Sequence, residues 1–484
     1  MKNQTQSTQT PRQKAVLVGV QLPRVSDAET QASIQELGRL VDTLGYIVVG
    51  SLSQKRPSLG GGVVLGDGKL RDLAKWTGGP GEVQRSVQVK KHKAAERFGG
   101  EDDAEDDEED DAHVDALAGD EEVVSFDEEE DSGPAEEPFV GERADVVVFD
   151  CELTPSQMRN LESATGAQVL DRTGVIIEIF SRHARTRAAQ LQVEIARLNY
   201  LAPRIRETGG GQDRQGGGIG AKGAGETSQE LDRRRIRDRV KELRRELESV
   251  QNENSLRRSR RSGENCVALV GYTNAGKSSM MRAMTGSEVL VADKLFATLE
   301  TTVRPVYPET VPRILLSDTV GFIKKLPHDL VASFRSTLDE ALNADLLLYT
   351  VDASDPTFRS QLQTTQEVMR EIGADERPSR ILLNKRDKLS SEEIEALKKE
   401  FPDAFMLSTR DSADLAFLRE ELLKFFEQAM TEQDVLVPYD IQGAIGEIRS
   451  QMRVVEENYE GDGVRLRIRA KPDELKRLRA KFQI

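Results

Sequence analysis

Residues 271–278 read Gly-Tyr-Thr-Asn-Ala-Gly-Lys-Ser and directly follow the apolar run 266–270. This is the pattern G-x-x-x-x-G-K-[ST] between a predicted strand and a predicted helix. In that setting the glycines let the backbone turn tightly, so that its N–H groups point at phosphate oxygens, and the helix adds the positive end of its dipole. We expect Lys277 to reach the outer phosphates and Ser278 to bind Mg²⁺. The motif therefore predicts an α/β domain that binds a nucleotide.

Three further motifs follow predicted strands downstream of this loop. Residues 318–321 read Asp-Thr-Val-Gly, and we expect them to face Mg²⁺ and the γ-phosphate. Residues 384–387 read Asn-Lys-Arg-Asp, and the Asp387 carboxylate can accept both N1–H and the exocyclic amine of guanine, a donor pair that adenine lacks. Residues 408–409 read Ser-Thr and are expected to give the base carbonyl a backbone N–H. Open α/β sheets bind ligands at the carboxyl ends of their strands, so these motifs together predict a guanine-nucleotide site.

The net charge of −16 comes from one segment. Residues 101–137 hold 21 Asp or Glu and no Lys or Arg, so the rest of the chain is mildly basic at +5. A run of like charge with few large apolar residues repels itself, and we expect it to be disordered. Two interpretations stay open: a solvated insertion without a specific function, or an intramolecular competitor of nucleic acid for the basic surface.

The remaining composition predicts a cytoplasmic protein with room for about three domains in 484 residues. No apolar stretch approaches the ~18–20 residues that a membrane-spanning helix needs, so we expect no integral membrane contact. The polar residues 1–14 lack the apolar core of a signal peptide. Cys151 and Cys266 are the two cysteines, and both lie in strand-like runs, which suits a reducing compartment.

Alternating strand and helix patterns predict a mostly parallel α/β domain ahead of the nucleotide domain. Strands are expected at 15–18, 46–49, 63–65, 145–149 and 169–170, a helix at 33–44, a helix start at Thr154, and a further apolar run at 175–179. The predicted organisation is a disordered tail at 1–14, an N-terminal α/β domain at 15–180 with an acidic low-complexity insert at 76–143, a basic helical hairpin arm at 181–262, a P-loop GTP-binding domain at 263–430, and a small α+β module at 431–484.

The arm is predicted from two apolar seams with the heptad-like spacing 4, 3, 4, 3. Their members are Ala184, Ala188, Leu191, Ile195 and Leu198, then Ile236, Val240, Leu243, Leu247 and Val250. A glycine-rich loop at 214–225 separates them. From Arg182 to Arg261 there are 20 Lys or Arg against 11 Asp or Glu. Two solvated helix faces remain one interpretation, but the concentrated, arginine-rich excess favours an arm that contacts phosphates.

The motifs together resemble the HflX family of ribosome-associated GTPases. The resemblance rests on 271–278, on 292–299 (Ala-Asp-Lys-Leu-Phe-Ala-Thr-Leu), on 318–323 (Asp-Thr-Val-Gly-Phe-Ile), on 326–330 (Leu-Pro-His-Asp-Leu), and upstream on 153–157, 171–174 and 216–220. It implies a GTPase that docks on the large ribosomal subunit and reaches rRNA near the peptidyl transferase centre with its arm. It also implies an ability to separate ribosomal subunits under stress.

The resemblance extends the predicted site into the first switch. The family's metal motif matches residues 296–300, so Thr298 is expected to bind Mg²⁺ beside Ser278, with Thr301 and Thr302 as open alternatives. The full set of expected nucleotide contacts is Gly271, Tyr272, Thr273, Asn274, Ala275, Gly276, Lys277, Ser278, Phe296, Ala297, Thr298, Leu299, Glu300, Asp318, Thr319, Val320, Gly321, Asn384, Lys385, Arg386, Asp387, Ser408 and Thr409.

Lys277 and Asn274 are the expected catalytic residues. Phe322 stands where many GTPases carry the Gln that orients the attacking water, so that water must be placed by a partner, a cation or a backbone group. Asn274 offers a carbonyl oxygen near the phosphates, as in relatives that use K⁺ in place of a catalytic charge. K⁺ therefore stands beside Mg²⁺ as a possible cofactor.

The expected activity is hydrolysis of GTP to GDP and phosphate, coupled to ribosome remodelling by subunit splitting, rescue or biogenesis. The expected partners are the large ribosomal subunit and its rRNA. A monomer is expected because the helical seams are short enough to be satisfied within one chain. The alternatives are a GTP-dependent binding switch that only recruits a partner, and a nucleotide-driven RNA-unwinding protein.

Overall fold

The chain forms three β-sheets in succession. The first is parallel, the second is parallel except for one edge strand, and the third is antiparallel. The computed structural model describes residues 12–83, 142–205, 228–259, 264–286, 295–296, 298, 301–324, 340–428, 430–441 and 443–482. The acidic segment 101–137, the glycine-rich loop 214–225 and the switch residues Ala297, Leu299 and Glu300 therefore lie outside the described residues.

The first sheet is parallel and has helices on both faces. Its strands are β1 (Lys14–Gln21), β2 (Ile47–Lys55), β3 (Val146–Phe149) and β4 (Gln168–Asp171), in the order β2-β1-β3-β4. Its helices are α1 (Asp27–Thr43), α2 (Asp67–Thr77), α3 (Pro155–Thr165) and α4 (Arg172–His183). Side chains alternate along β1, so Ala15 and Leu17 join the core with α1 and α4, while Val16 and Val18 join the core with α2 and α3.

One detail of the sequence prediction changes here. The strand expected at 63–65 is wrong: Val64 and Leu65 are buried against α2 and α3, but they pair with no strand. Three glycines precede this short run and Gly66, the N-cap of α2, ends it, which leaves no length for a ladder. The apolar run 175–179 lies inside α4. The helix start expected at Thr154 is confirmed, because Thr154 closes a capping box at the start of α3.

The predicted helical hairpin is confirmed. It consists of α5 (Arg187–Leu201) and α6 (Ser228–Ser259), with a short 3₁₀ turn at Ala202–Arg204 after α5. Ion pairs join Arg187 to Glu246 and Glu194 to Arg239, and this opposite order of the partners makes the two helices antiparallel. Leu191, Ile195, Val240 and Leu243 are buried between them, as the seam spacing predicted.

The nucleotide-binding part confirms the predicted P-loop α/β fold. Its strands are β5 (Asn265–Val270), β6 (Thr302–Pro305), β7 (Ile314–Asp318), β8 (Leu346–Asp352), β9 (Ser379–Asn384) and β10 (Phe405–Met406), in the order β10-β9-β8-β5-β7-β6. All neighbouring pairs are parallel except β6 with β7. The helices are α7 (Lys277–Thr285), Phe358–Glu371, Ser391–Glu400 and Ser412–Gln428, with a 3₁₀ turn at Arg386–Lys388.

The last sheet is antiparallel. It contains β11 (Thr431–Pro438), β12 (Arg453–Tyr459) and β13 (Gly463–Ala470) in the order β11-β13-β12, with helices at Ala444–Gln451 and Pro472–Phe482. The hairpin expected around 461–463 connects β12 to β13. None of the helices in the described part of the chain combines the length and the hydropathy that crossing a membrane requires.

One hydrophobic core joins the first sheet to the nucleotide-binding part. Phe180 of α4 packs edge-to-face on Phe296, with ring centroids 4.6 Å apart. Phe322 and Ile323 are buried in the same core. The backbone N–H of Leu295 donates to the hydroxyl of Thr43 at 3.3 Å. Residues 295–296 and 322–323, which flank the predicted phosphate and metal contacts, are thus held in the same core as α1 and α4.

Candidate guanine-nucleotide site

The phosphate loop is shaped by glycines that no other residue can replace without displacing neighbours. Gly276 has φ +96°, and a Cβ there would lie 2.2 Å from the side-chain nitrogen of Asn384. A Cβ at Gly321 would lie 2.9 Å from Thr273 Cα and 3.1 Å from Lys277 Nζ. The loop and the segment after β7 therefore approach each other at backbone contact distance.

Lys277 is buried at the start of α7. Its ammonium donates to the carbonyls of Gly271 and Tyr272 at 2.9 and 2.8 Å. Burial lowers the pKa of Lys277 to about 8, and the neighbouring Asp318 opposes that shift. Burial likewise raises the pKa of Asp318, which Lys277 and the Ser278 hydroxyl partly offset. The pair holds opposite charges where phosphates and a cation are expected.

Three oxygen-bearing side chains meet beside Lys277. Ser278 Oγ lies 2.6 Å from Thr298 Oγ1 and donates to Asp318 Oδ2 at 2.7 Å. Thr298 is therefore the switch hydroxyl that reaches Ser278, whereas Thr301 and Thr302 lie at the entry to β6. Asp318 Oδ1 is buried and has no hydrogen-bond partner within the described structure.

This cluster fits Mg²⁺. Hard hydroxyl and carboxylate oxygens are its preferred ligands, and it normally completes its octahedron with phosphates and water rather than with a cage of side chains. Thr273 Oγ1 is a second buried oxygen without a partner among the described residues.

The guanine motif braces the phosphate loop. Asn384 Nδ2 donates to the carbonyl of Ala275 at 2.9 Å. Lys385, at φ +62°, donates from Nζ to the Asn274 carbonyl at 2.9 Å and to Asp352 at 2.6 Å. The motif that should read the base thus also fixes the loop that should hold the phosphates.

Asp387 faces an open cavity of about 300 Å³. Arg386, Asp387, Ser408, Arg410, Asp411 and Ser412 line this cavity. The Ser408 hydroxyl donates to Asp387 Oδ1 at 2.6 Å, and Arg410 lies 3.4 Å from Oδ2. The hydrogen bond from Ser408 lowers the pKa of Asp387, and the Arg410 charge adds to this. The carboxylate is therefore ionised and placed as an acceptor at the mouth of the cavity.

The expected role of Ser408 needs correction. Its backbone N–H does not face the base, because it donates to Asp414 Oδ2 at 2.7 Å. Its contribution is the hydroxyl bond to Asp387, which leaves Thr409 as the candidate backbone donor for the base carbonyl. Similarly, the Thr319 hydroxyl donates to the Leu269 carbonyl at 2.7 Å, and Val320 packs in the shared core. These two side chains support the site rather than face it.

Sequence reasoning missed the residues that connect Tyr272 to the first sheet. The Tyr272 hydroxyl donates to Glu36 of α1 and accepts the Lys324 N–H at 2.6 Å. Glu36 is also bound by Arg172 at 2.6 Å, and Arg172 binds Asp150 at 2.7 Å. Since Glu36 and Tyr272 lie 236 positions apart, no local pattern indicates that they meet.

Known proteins share these motifs over most of the chain. Residues 266–385 match the family model described as 50S ribosome-binding GTPase. Residues 135–181 and 183–261 match those described as GTP-binding GTPase N-terminal and GTP-binding GTPase Middle Region. GTPase HflX of Gluconacetobacter diazotrophicus is 54% identical over 472 residues, which cover 98% of either chain.

The chain belongs to the HflX family of GTPases. GTPase HflX of Caldanaerobacter subterraneus is 32% identical over 97% of this chain and 93% of its own. GTPase HflX of Escherichia coli is 39% identical over 67% of this chain and 78% of its own. The predicted family is thus confirmed, and with it the prediction that the protein binds and hydrolyses GTP.

Proposed function

We propose that this HflX-family GTPase associates with the large ribosomal subunit in the cytoplasm and couples GTP binding and hydrolysis to ribosome remodelling. The observation that carries the proposal is a row of exposed cations on α6. The description of the matching family model, 50S ribosome-binding GTPase, supports the same partner.

The row consists of Arg237, Lys241 and Arg244, with Arg245 beside it. These residues are exposed, and within the described part of the chain they form no ion pair. The spacing i, i+4, i+7 places the first three on one face of the helix. Each lies one position after a residue of the buried seam, so the row is turned about 100° away from α5. Such a surface suits the phosphates of a folded RNA.

Three other arginines of the hairpin differ from this row. Arg187, Arg235 and Arg239 are neutralised by Glu246, by Asp232, and by Glu194 together with Glu242. Exposed ion pairs of this kind stabilise a hairpin only slightly and leave little field at a distance. The unpaired row is therefore a continuous cationic surface of the arm that is available to a polyanion.

The catalytic side of the proposal follows from Phe322. Its ring is 2% exposed in the shared core and has no group that can orient water. We propose Lys277, Asn274, Ser278 and Thr298 as the residues that hold GTP and Mg²⁺. When bound, Mg²⁺ would neutralise charge on the β- and γ-phosphates. Placement of the attacking water is left to the ribosome, to a backbone group, or to K⁺ near Asn274.

Sedimentation with purified ribosomes tests the proposal. The protein with a non-hydrolysable GTP analogue should sediment with large subunits, and the triple variant R237Q/K241Q/R244Q should bind at least ten-fold more weakly at 0.15 M salt. The slope of log affinity against log salt should fall in magnitude by about 2–3, since each phosphate contact contributes roughly 0.7–0.9.

The matched control removes three exposed cations elsewhere, in R377Q/K398Q/K399Q. Control and wild type should bind alike. A protein that stays at the top of the gradient in every nucleotide state is a binding switch for another partner. Equal losses in both triple variants would mean that net charge, not the arm, determines binding.

A further inference from the structure

The phosphate loop contains a tyrosine whose hydroxyl binds two other parts of the chain. Tyr272 is 7% exposed, and its hydroxyl contacts Glu36 of α1 and the backbone N–H of Lys324. Lys324 lies three positions after Gly321, the last residue of the segment expected to face the γ-phosphate. We propose that Tyr272 is a positioning residue for GTP hydrolysis, which fixes this segment through Lys324 and is itself fixed by Glu36.

The segment 321–324 is anchored at two points. Phe322 exchanges backbone hydrogen bonds with the phosphate loop: its N–H donates to Gly271 at 3.1 Å and its carbonyl accepts from Thr273 at 2.7 Å. The Tyr272 hydroxyl supplies the second anchor at Lys324. The second anchor restrains the backbone that leaves Phe322, and with it the orientation of the neighbouring Gly321.

The orientation of the backbone at Gly321 affects hydrolysis because the next residue is Phe322. An apolar ring that is buried in the core cannot place the attacking water, so the backbone of this segment carries more of the positioning. Gly321 lies close to the Lys277 ammonium, since a Cβ on it would be 3.1 Å from Nζ. A misplacement of about 1 Å at a reacting group costs on the order of 10²-fold in rate, so a hydrogen bond that holds Gly321 affects turnover.

Glu36 holds the hydroxyl because Glu36 is itself immobilised. Its other carboxylate oxygen accepts from Arg172, which is 2% exposed and also binds Asp150 at the end of β3. A phenol that donates to a carboxylate has its oxygen lone pairs directed at a second donor, here the Lys324 N–H. Burial together with the Glu36 charge raises the pKa of Tyr272, so the hydroxyl keeps its proton at physiological pH.

The test is single-turnover hydrolysis by the isolated full-length protein, which needs no ribosome and therefore does not depend on the proposed partner. Tyr272→Phe removes only the hydroxyl. We expect the hydrolysis rate to fall about 5- to 10-fold, the worth of one buried hydrogen bond. The Kd for GDP should stay within two-fold, because the hydroxyl is already bonded to Glu36 and to the Lys324 N–H.

The matched control is Tyr349→Phe. Tyr349 of β8 is equally buried, at 6% exposure, in the same core, but its hydroxyl binds neither Glu36 nor Lys324. It should hydrolyse GTP at the wild-type rate. Hydrogen exchange supplies a readout that mere destabilisation would not give: the Lys324 amide should exchange faster in Tyr272→Phe and not in Tyr349→Phe, at equal Tm.

A double-mutant cycle tests the link to Glu36. If Glu36 acts through the hydroxyl, Y272F/E36Q should be no slower than Y272F alone. Additive losses would show that Glu36 acts by another route and would overturn that part of the proposal. A wild-type rate in Tyr272→Phe, or a loss of GDP affinity as large as the loss of rate, would overturn the positioning role itself.

Discussion

The guanine-reading role of Asp387 leads to a prediction whose size follows from the geometry. Asp387→Asn keeps the shape of the side chain but replaces one acceptor oxygen by an NH₂ donor. In the structure Oδ1 accepts from Ser408 and Oδ2 lies towards Arg410 at the mouth of the cavity. Guanine donates from N1–H and from its exocyclic amine, so the NH₂ group of the variant would face one of these donors without an acceptor between them.

The loss is estimated from two charge-assisted hydrogen bonds. Each is worth about 1.5–3 kcal/mol, so the pair contributes about 3–5 kcal/mol when the partly exposed position of Asp387 is taken into account. This corresponds to a 10²–10⁴-fold weaker affinity for GTP and GDP, on the order of 1.4 kcal/mol for each factor of ten. A xanthine base offers an acceptor in place of the exocyclic amine, so xanthine nucleotides should bind the variant better than guanine nucleotides.

Competition against a fluorescent nucleotide measures both affinities in one assay. Arg410→Gln serves as control, because Arg410 is 80% exposed and its contact with Asp387 is screened by water. We expect its GDP affinity to stay within about three-fold of wild type. Unchanged GTP binding in Asp387→Asn, or an equal loss in Arg410→Gln, would refute base reading by this carboxylate.

Four further predictions concern the phosphates, the cation and the insert. Ser278→Ala should weaken the binding of GTP more than that of GDP, since Mg²⁺ held by Ser278 would offset the larger charge of the triphosphate. Titrations with and without Mg²⁺ check this. Lys277 loses its proton as the pH rises through its pKa of about 8. Above that pH, GTP binding should therefore take up a proton and weaken by up to about ten-fold per pH unit. Calorimetry in buffers of different ionisation enthalpy detects this proton uptake. Intrinsic hydrolysis should be slow and should rise with large subunits and with K⁺ over Na⁺; an equal rate for the isolated protein in Na⁺ buffer would contradict this. Deletion of 101–137 should tighten binding to bulk RNA at low salt and spare hydrolysis, whereas unchanged RNA affinity would identify a passive insertion.

The sequence predicts the site well where a motif is contiguous and follows a buried strand. Parallel strands bring their carboxyl ends to one edge, so the order of motifs at 271–278, 318–321 and 384–387 already implies their meeting. It predicts poorly what depends on distant partners. The N–H of Ser408 is taken by Asp414, and the strand expected at 63–65 has no neighbour to pair with.

Dependence on distant partners also explains why the sequence did not reveal the residues that hold Tyr272. Glu36 and Arg172 read as ordinary charges on amphipathic helices, since each belongs to a local pattern that needs no further explanation. Only the packing of α1 and α4 against the switch segments gives them a role. A buried ion pair costs desolvation, and nothing in a single sequence shows which charges the fold has removed from water.

The length of α6 gives the hairpin the properties of a lever. The helix has 32 residues and is therefore about 48 Å long, while α5, with 15 residues, braces only about 22 Å of it. In the sequence, its carboxyl end at Ser259 precedes β5, and its amino end at Ser228 follows the glycine-rich residues 214–225. A tilt of about 5° at the β5 end would move the far end by about 4 Å, roughly three-quarters of the 5.4 Å rise of one helical turn. A rotation of a few degrees at one end of this helix is therefore amplified to several ångströms at the other end, where it would change which groups the arm contacts.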